Sequence, residues 1–307
     1  MISIRKFAPI ALAIGMCFSG AAHAAADTQF NLKDGNGNTI VAGADGLDWN
    51  ERGSGVAIGV GPFSDSALLP VGATFDFRYQ ANLVNISGGV EGEKAMFLDG
   101  NSNGIAERGA QGFEITIAAR FTEVVTGSEI VGGKPTATFA LGGSNATNKV
   151  AIFYDTARNA NTATGVGFDD GIMIALLTIT QSGTDSNFST NPGEGTGFGS
   201  AKLGASMREE GDFINPAYLE NVERLLFGIK FDSNLNYPAG TSSTTGFHRG
   251  GEGGLFGDYT VGANDIVFKV DGANTFTQVP EPGSMVRLGA GLLGLVGAAR
   301  RRKAKKA

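Results

Sequence analysis

The clearest pattern along the chain is a strict alternation of apolar and polar side chains. Residues 75–83 place aromatic and aliphatic side chains at the odd numbers and polar or charged ones at the even numbers. Residues 113–121 repeat the pattern, again with the apolar side chains at the odd numbers. Because successive side chains of a strand point to opposite faces of a sheet, this period of two predicts two half-buried antiparallel strands.

Four other segments predict further strands. Residues 150–155 and 172–180 are more uniformly apolar, as expected for strands near the centre of a sheet. Residues 225–231 and 265–270 are two more strand candidates. Together with the alternating segments they predict an all-β fold, most simply an antiparallel β-sandwich with a jelly-roll-like strand order.

The segments between these strands predict loops and one short helix. The longest polar stretches, 181–204 and 233–262, are rich in Gly, Asn, Ser and Thr, and we interpret them as surface loops. The helix is predicted at 215–226, because Asn215 suits a helix cap and Pro216 suits the first turn. The spacing of the apolar residues Tyr218, Leu219, Val222 and Leu226 is also helical.

The N-terminus has the three zones of a secretory signal peptide. Arg5 and Lys6 supply a positive start, and an apolar stretch of 12 residues follows them. Small residues then offer a cleavage site after Ala24, with a slightly later option after Ala26. We therefore predict a signal peptide at 1–26, since the apolar stretch is too short and wrongly flanked for a stable membrane span.

Residues 279–307 form a tail with three parts in order. These are the box Pro280, Glu281 and Pro282, the apolar run Leu288–Ala299, and the basic cluster Arg300, Arg301 and Arg302. The apolar run has 12 residues, whereas a stable membrane helix needs about 20. The basic cluster is expected to stay in the cytoplasm. The sequence therefore predicts a short hydrophobic helix that holds the chain in the membrane only transiently.

This tail resembles the PEP-CTERM sorting signal of Gram-negative bacteria, whose substrates are processed by an exosortase. Arg287 departs from the usual unbroken apolar stretch of that signal. The resemblance implies transient contact with export machinery and exosortase, removal of the tail, and delivery to the cell surface or extracellular matrix. An ordinary tail anchor is the alternative interpretation.

The segment between the two ends, residues 27–278, is the predicted β-sandwich domain and is called the body below. The whole chain carries 24 basic and 30 acidic residues. Nine of the basic residues and one of the acidic residues belong to the two ends, so the body has a net charge of about −14. Such a charge repels nucleic acid and anionic lipid, so neither is an expected partner. The body contains no cysteine, so its core must stabilise it without disulfides.

Candidate catalytic chemistry is sparse. His248 is the only histidine of the body and lies in a Gly-rich stretch, where we expect a solvent-exposed loop residue. Neither a metal-binding histidine pair nor a nucleophile elbow occurs in the sequence. Asp169, Asp170 and Gly171 precede an apolar strand and predict a hairpin turn. The sequence thus predicts that the protein is not an enzyme.

Calcium is the one cofactor that the sequence suggests. Asp99, Asn101, Asn103, Ile105 and Glu107 supply oxygen ligands at the spacing of a calcium loop, with the Ile105 carbonyl as one of them. The loop lacks the bidentate glutamate expected three residues after Glu107, so weak affinity is predicted. A poorer copy occupies 34–38, where a plain tight turn is the competing interpretation.

The body also resembles the flocculation-associated PEP-CTERM proteins. The segments that carry this resemblance are 112–116, 136–139, 154–155, 167–171, 265–268 and 271–274. The resemblance implies a non-enzymatic protein that promotes cell aggregation, in flocs or biofilm, with exopolysaccharide as partner. Two alternatives stay open: a calcium-dependent carbohydrate-binding module and a hydrolase that cleaves matrix glycans.

Overall fold

The computed structural model describes residues 29–61, 68–88, 94–95, 112–181, 186–191, 193–221, 227–251 and 255–278. Across these ranges the chain is almost entirely β-structure, which confirms the predicted all-β class. The strands are β1 (Phe30–Lys33), β2 (Thr39–Trp49), β3 (Gly53–Ala57), β4 (Thr74–Gly88), β5 (Lys94–Ala95), β6 (Glu114–Val131), β7 (Lys134–Gly142), β8 (Lys149–Asp155), β9 (Ile172–Gln181), β10 (Ser186–Asn191), β11 (Thr196–Ser206), β12 (Phe213–Ile214), β13 (Leu219–Glu220), β14 (Phe227–Tyr237), β15 (Gly246–Phe247), β16 (Tyr259–Thr260) and β17 (Ile266–Gln278). A 3₁₀ turn, Gly240–Ser242, follows β14.

The main sheet is antiparallel and closes on itself. Neighbouring strands pair in the order β6, β8, β9, β11, β14, β17, β3 and β4, and β4 then pairs with β6. In the closing register Phe77 lies opposite Phe121, and Ala81 lies opposite Ile117. Opposite walls of this closed sheet therefore face each other across one core, as the two sheets of a sandwich do.

Two long strands each pair with two partners along one edge. The first half of β6 pairs with β8 and its second half with β7. In the same way, β11 pairs with β10 in its first half and with β9 in its second half. The wall between β6 and β11 therefore consists of two parts, the β8–β9 pair and the β7–β10 pair.

The alternating segments became strands in the predicted orientation. Residues 75–83 lie in β4 and residues 113–121 mostly in β6, and their odd-numbered side chains belong to the main hydrophobic core. Leu83 and Ile117 are fully buried there. The uniformly apolar segment 150–155 forms β8, which is buried along its whole length. These positions follow the physical rule that apolar side chains collect on one face of each strand.

The two long segments predicted to be surface loops have more structure than expected. Residues 181–204 contain β10 and most of β11, which pair with each other and extend the wall of the sheet. The segment 233–262 begins inside β14 and then folds back over the outer face of β4. The loop prediction was therefore wrong for 186–191 and for 196–204, and the described part of the second segment covers the sheet.

The helix predicted at 215–226 is also wrong for the part that the structure describes. The chain makes one turn after Asn215, whose side-chain oxygen accepts a hydrogen bond from the Ala217 amide at 3.0 Å. It then extends into β13, where Leu219 pairs with Leu32 of β1. Asn215 therefore stabilises a turn and does not cap a helix, and the chain after it pairs with the edge of β1. Val222 and Leu226 lie outside the described residues.

Candidate functional site

A layer of loops covers the outer face of β4, β6 and β8. We call it the loop cover and define it as residues 156–171, 238–251 and 255–262. The first two of these ranges are joined by backbone hydrogen bonds from Thr245 to Ala163 and from Arg249 to Gly165. Most even-numbered polar side chains of residues 75–83 and 113–121, which the sequence pattern places on the solvent side, are therefore buried, whereas Asp76 and Arg120 are half-buried.

Hydrogen bonds between the sheet and the loop cover satisfy most of these buried polar groups. Glu114 of β6 is 3% exposed and accepts hydrogen bonds from the Asn82 side chain and the Ala160 amide, both at 2.9 Å. Burial, reinforced by the negative charges of Asp155 and Asp170, raises the pKa of Glu114 to about 7 against the hydrogen bond from Ala160. The loop cover is thus attached by a specific polar network rather than by apolar contact alone.

His248 lies at the centre of the loop cover and is fully buried, so the prediction of a solvent-exposed histidine was wrong. Its backbone amide donates to Oε1 of Gln80 at 3.1 Å, and Nε2 lies 3.0 Å from the Tyr79 carbonyl oxygen. Because a carbonyl only accepts, Nε2 carries the proton, and Nδ1 has no partner among the described residues. Burial lowers the pKa of His248 to about 3, so the ring stays neutral.

A pocket opens where the loop cover meets the start of β9. Its lining combines carboxylates with apolar side chains, and it has a volume of about 290 Å³. The lining residues are Phe153, Asp169, Asp170, Gly171, Met173, Leu255 and Phe256. The volume lies near the lower end of the range for small-molecule sites. We call it the acidic pocket.

Each acidic residue of the pocket keeps one carboxylate oxygen without a partner in the described structure. These atoms are Oδ1 of Asp169 and Oδ1 of Asp170. The other oxygen of Asp170 accepts from the Asn159 side chain at 2.9 Å, which fixes the orientation of the group. Burial, with the nearby charges of Asp170 and Asp258, raises the pKa of Asp169 to about 6 although Arg78 opposes the effect. The pocket is therefore lined by carboxylate residues beside apolar surface, and the two unpartnered oxygens are themselves buried.

Close backbone packing places the Asp169 carboxylate. A Cβ atom at Gly251 would lie 2.6 Å from Cγ of Asp169, so glycine leaves the space that this carboxylate occupies. The hairpin turn predicted at Asp169, Asp170 and Gly171 is not formed, because these residues end a 16-residue connection from β8 to β9. The sequence contained no signal that residues near 255 would complete a pocket with them.

The structure bears differently on the two candidate calcium loops. The loop with Asp99, Asn101, Asn103, Ile105 and Glu107 lies outside the described residues, so it stays a prediction. Within the described part of the chain, no group of three or more His, Cys, Asp or Glu side chains is arranged to hold a metal ion.

The second calcium candidate, 34–38, forms the turn between β1 and β2. Oδ1 of Asp34 accepts from the amides of Asn36 and Asn38, and Oδ2 accepts from the Asn38 side chain at 2.7 Å. These bonds lower the pKa of Asp34, the side chain of Asn38 contributing most. Both carboxylate oxygens are thus already used to form the turn, which favours the tight-turn interpretation.

The remaining predicted functional residues belong to the two ends of the chain. Ala24 and Ala26 and the whole tail lie outside the described residues. Among the residues that are described, no helix reaches the length and apolarity that a membrane span requires.

These features define a protein with an all-β body joined to a C-terminal sorting segment. In particular, residues 278–303 match the PEP-CTERM protein-sorting motif, which confirms the interpretation of the tail. The match contains the box Pro280, Glu281 and Pro282 and the cluster Arg300, Arg301 and Arg302. The protein is therefore exported, processed by an exosortase, and located at the surface or outside the cell. No curated protein and no solved structure matches the chain.

Proposed function

We propose that this exported protein is a non-enzymatic surface or matrix component of a Gram-negative bacterium that promotes cell aggregation by binding exopolysaccharide. We further propose that the acidic pocket is the place where it contacts the sugar. The observation that carries this assignment is the lining of the pocket, in which the carboxylate residues Asp169 and Asp170 lie beside Phe256 and Leu255. Sugar hydroxyls donate hydrogen bonds to carboxylates, and the C–H faces of a sugar ring pack on apolar side chains.

Three properties of the pocket support a sugar ligand. Leu255 is 43% exposed, so the pocket is accessible from solvent. Its acceptors are oriented in advance, because Asn159 holds Asp170 and Gly251 leaves room for Asp169. The volume of about 290 Å³ suits one sugar unit of a longer chain. Preorganised acceptors of this kind lose little entropy when a ligand binds.

The buried state of His248 supports a binding role over catalysis. The ring has no solvent exposure, and its neutral form is strongly favoured. A general acid or base must reach the proton that it transfers, whereas this buried ring hydrogen-bonds the Tyr79 carbonyl and packs against Phe256 of the loop cover. Hydrolysis of matrix glycans stays an alternative, tested by the release of reducing ends from purified exopolysaccharide.

The proposal is tested by binding of purified exopolysaccharide to the exported protein and two variants. Asp170→Asn keeps the size of the side chain and its contact with Asn159 but removes the charge. Glu129→Gln removes one charge at an exposed position of β6 and serves as the matched control. Isothermal titration should show at least a fivefold weaker affinity for Asp170→Asn and no change for Glu129→Gln.

The same variants separate the possible mechanisms. Cells that lack the gene should form fewer flocs, and the gene for Asp170→Asn should restore flocculation less well than that for Glu129→Gln. Titration in the presence of a calcium chelator distinguishes the calcium-dependent carbohydrate-binding alternative, for which chelation abolishes binding.

Wild-type affinity in Asp170→Asn, with an unchanged melting temperature, would reject the acidic pocket as the sugar site. Normal flocculation without the gene would reject the aggregation role.

A further inference from the structure

The closed sheet surrounds an internal cavity with two chambers that the proposed function does not use. The first chamber lies inside the β8–β9 part of the wall and the second inside the β7–β10 part. Both chambers are lined by Phe77, Glu123, Ala201 and Leu235, so they adjoin each other at these residues. Their volumes are about 50 Å³ and about 100 Å³. An apolar cavity of about 150 Å³ is large enough for a benzene-sized ring.

Glu123 is the unusual residue of this cavity. It occupies an odd-numbered position of β6, between Phe121 and Val125, so its side chain points into the core with theirs. It is 7% exposed, and no described side chain forms a hydrogen bond or ion pair with its carboxyl group. A carboxyl group in such surroundings needs an explanation, because native proteins rarely bury polar groups without a partner.

A second polar group faces the first chamber without a partner. The hydroxyl oxygen of Tyr79 is buried, and no described atom hydrogen-bonds it. The space beside it depends on Gly272, where a Cβ atom would lie 2.9 Å from this oxygen. By contrast, the Trp49 ring nitrogen in the same chamber donates to the Asn274 side chain. The cavity is thus mostly apolar, with two unsatisfied polar groups in fixed positions.

Aromatic packing in the core leaves this space open rather than filling it. Phe77 stacks on Phe268 with a ring separation of 6.1 Å and lies 5.2 Å from Phe121. Phe188 packs edge-on against Phe268 at 5.1 Å. These contacts fix the walls of the cavity, so it is part of the packed core and not a result of loose side chains.

We propose that this cavity binds a small apolar molecule with one aromatic ring and a hydroxyl group, in other words a phenol, and that Glu123 hydrogen-bonds the hydroxyl group. The size follows from the cavity volume and the apolar character from its lining. The hydroxyl follows from Glu123, which is neutral at neutral pH because burial raises its pKa to about 8. A neutral carboxyl group both donates and accepts, as a hydroxyl does, so no charge on the ligand is required.

The second chamber has the more polar lining of the two. It includes the half-buried polar residues Asn187 and Thr190 of β10 and Ser200 of β11, whereas the polar lining of the first chamber is limited to Trp49, Tyr79 and Glu123. We therefore expect the hydroxyl group of a bound phenol at Glu123, which lines both chambers, and its ring against the apolar lining.

The test compares two probes that differ only by one hydroxyl group, 4-fluorophenol and fluorobenzene, in ¹⁹F NMR titrations of the purified exported protein at pH 7. We expect 4-fluorophenol to bind saturably with at least tenfold lower Kd than fluorobenzene. Trp49 is the only tryptophan and lines the first chamber, so its emission should change in parallel with the NMR signal. Glu123→Leu should abolish the preference for the phenol, whereas Glu129→Gln should retain it.

Glu123→Gln guards against a misfolded variant, because glutamine keeps the volume and still accepts a hydrogen bond. It should bind 4-fluorophenol within about threefold of wild type, because its amide, like a neutral carboxyl group, both donates and accepts. The proposal is overturned if neither probe binds, or if Glu123→Leu binds 4-fluorophenol as tightly as wild type. Both outcomes are independent of sugar binding at the acidic pocket.

Discussion

Replacing Glu123 with glutamine is expected to stabilise the protein, and the gain should grow with pH. Burial raises the pKa of Glu123 from 4.5 to about 8, because the cavity disfavours the charged form. In the unfolded chain the same group titrates near 4.5. The folded state therefore holds its proton more tightly, so stability is greatest below pH 4.5 and is lost as the pH rises from 4.5 through 8.

The magnitude follows from the interval between the two pKa values. One pH unit of differential protonation corresponds to about 1.4 kcal/mol, so the interval from 4.5 to about 8 corresponds to at most about 5 kcal/mol. At pH 7 about 3 kcal/mol of this loss is already present. Water that enters the cavity would hydrate the carboxylate and reduce both values. Glutamine does not titrate, so the variant lacks this contribution.

The assay is urea unfolding followed by Trp49 fluorescence at pH 5, 7 and 9. The free energy of unfolding of Glu123→Gln minus that of wild type should rise steadily across this series. A constant offset from repacking does not affect the slope, which is the quantity of interest. Glu129→Gln, at an exposed position on the same strand, should show no slope. A difference that stays flat from pH 5 to 9 would refute the burial of an unpaired carboxyl group in the cavity.

Three further predictions concern the loop cover and one buried ion pair. Burial lowers the pKa of His248 from 6.5 to about 3, so its contribution to stability is complete above pH 6.5 and is lost as the pH falls towards 3. His248→Asn should therefore flatten the plot of melting temperature against pH between pH 6.5 and 3. Asp212→Ala leaves the buried Lys149 ammonium without its partner at 2.6 Å and should cost about 3 kcal/mol in urea unfolding. Gly165→Ala should lower the melting temperature by several degrees, because Gly165 has φ +73° and a side chain there would overlap the Gly246 carbonyl. The control is Gly193→Ala, which should have a smaller effect because Gly193 also has a positive φ but lies in open space.

Sequence reasoning succeeded where one strand carries its own signal. The period of two in 75–83 and 113–121 reflects a local fact, that every second side chain of a strand meets the core. That fact is sufficient to identify β4 and β6 and to orient Phe77 and Ile117 inward. It does not reveal which strands pair, because closure of the sheet through β9 and β11 depends on residues distant in sequence.

The missed strands show why glycine misleads a pattern-based prediction. In β11, Gly197 and Gly199 look like loop residues, yet each lies against Phe188 of the neighbouring β10. A Cβ atom at Gly199 would come within 2.9 Å of the Phe188 Cα and ring atoms, so a larger residue would not fit there. Glycine therefore marks close packing between strands here, and that requirement is visible only once the partner is known.

The acidic pocket and the cavity were hidden for a related reason. Asp169 and Asp170 carry a local turn signal, but the apolar side of their pocket comes from Leu255 and Phe256, more than 80 residues later. Glu123 interrupts an apolar face at a single position, and an isolated exception to a pattern is easily assigned to the end of a strand. In each case the decisive neighbour is brought close by the closed topology, which no local pattern encodes.

The closed sheet also bears on the proposed aggregation role of this exported protein, whose body contains no cysteine. Strands with free edges can pair with strands of another molecule, and long exposed edges promote uncontrolled association. In the described structure, β4, β6, β11, β14 and β17 are each paired along both edges. Aggregation through edge pairing of these strands would require the sheet to open, which the surrounding hydrogen bonds oppose. Association through a surface pocket leaves the sheet intact, so a sugar-mediated mechanism suits this architecture better than strand exchange.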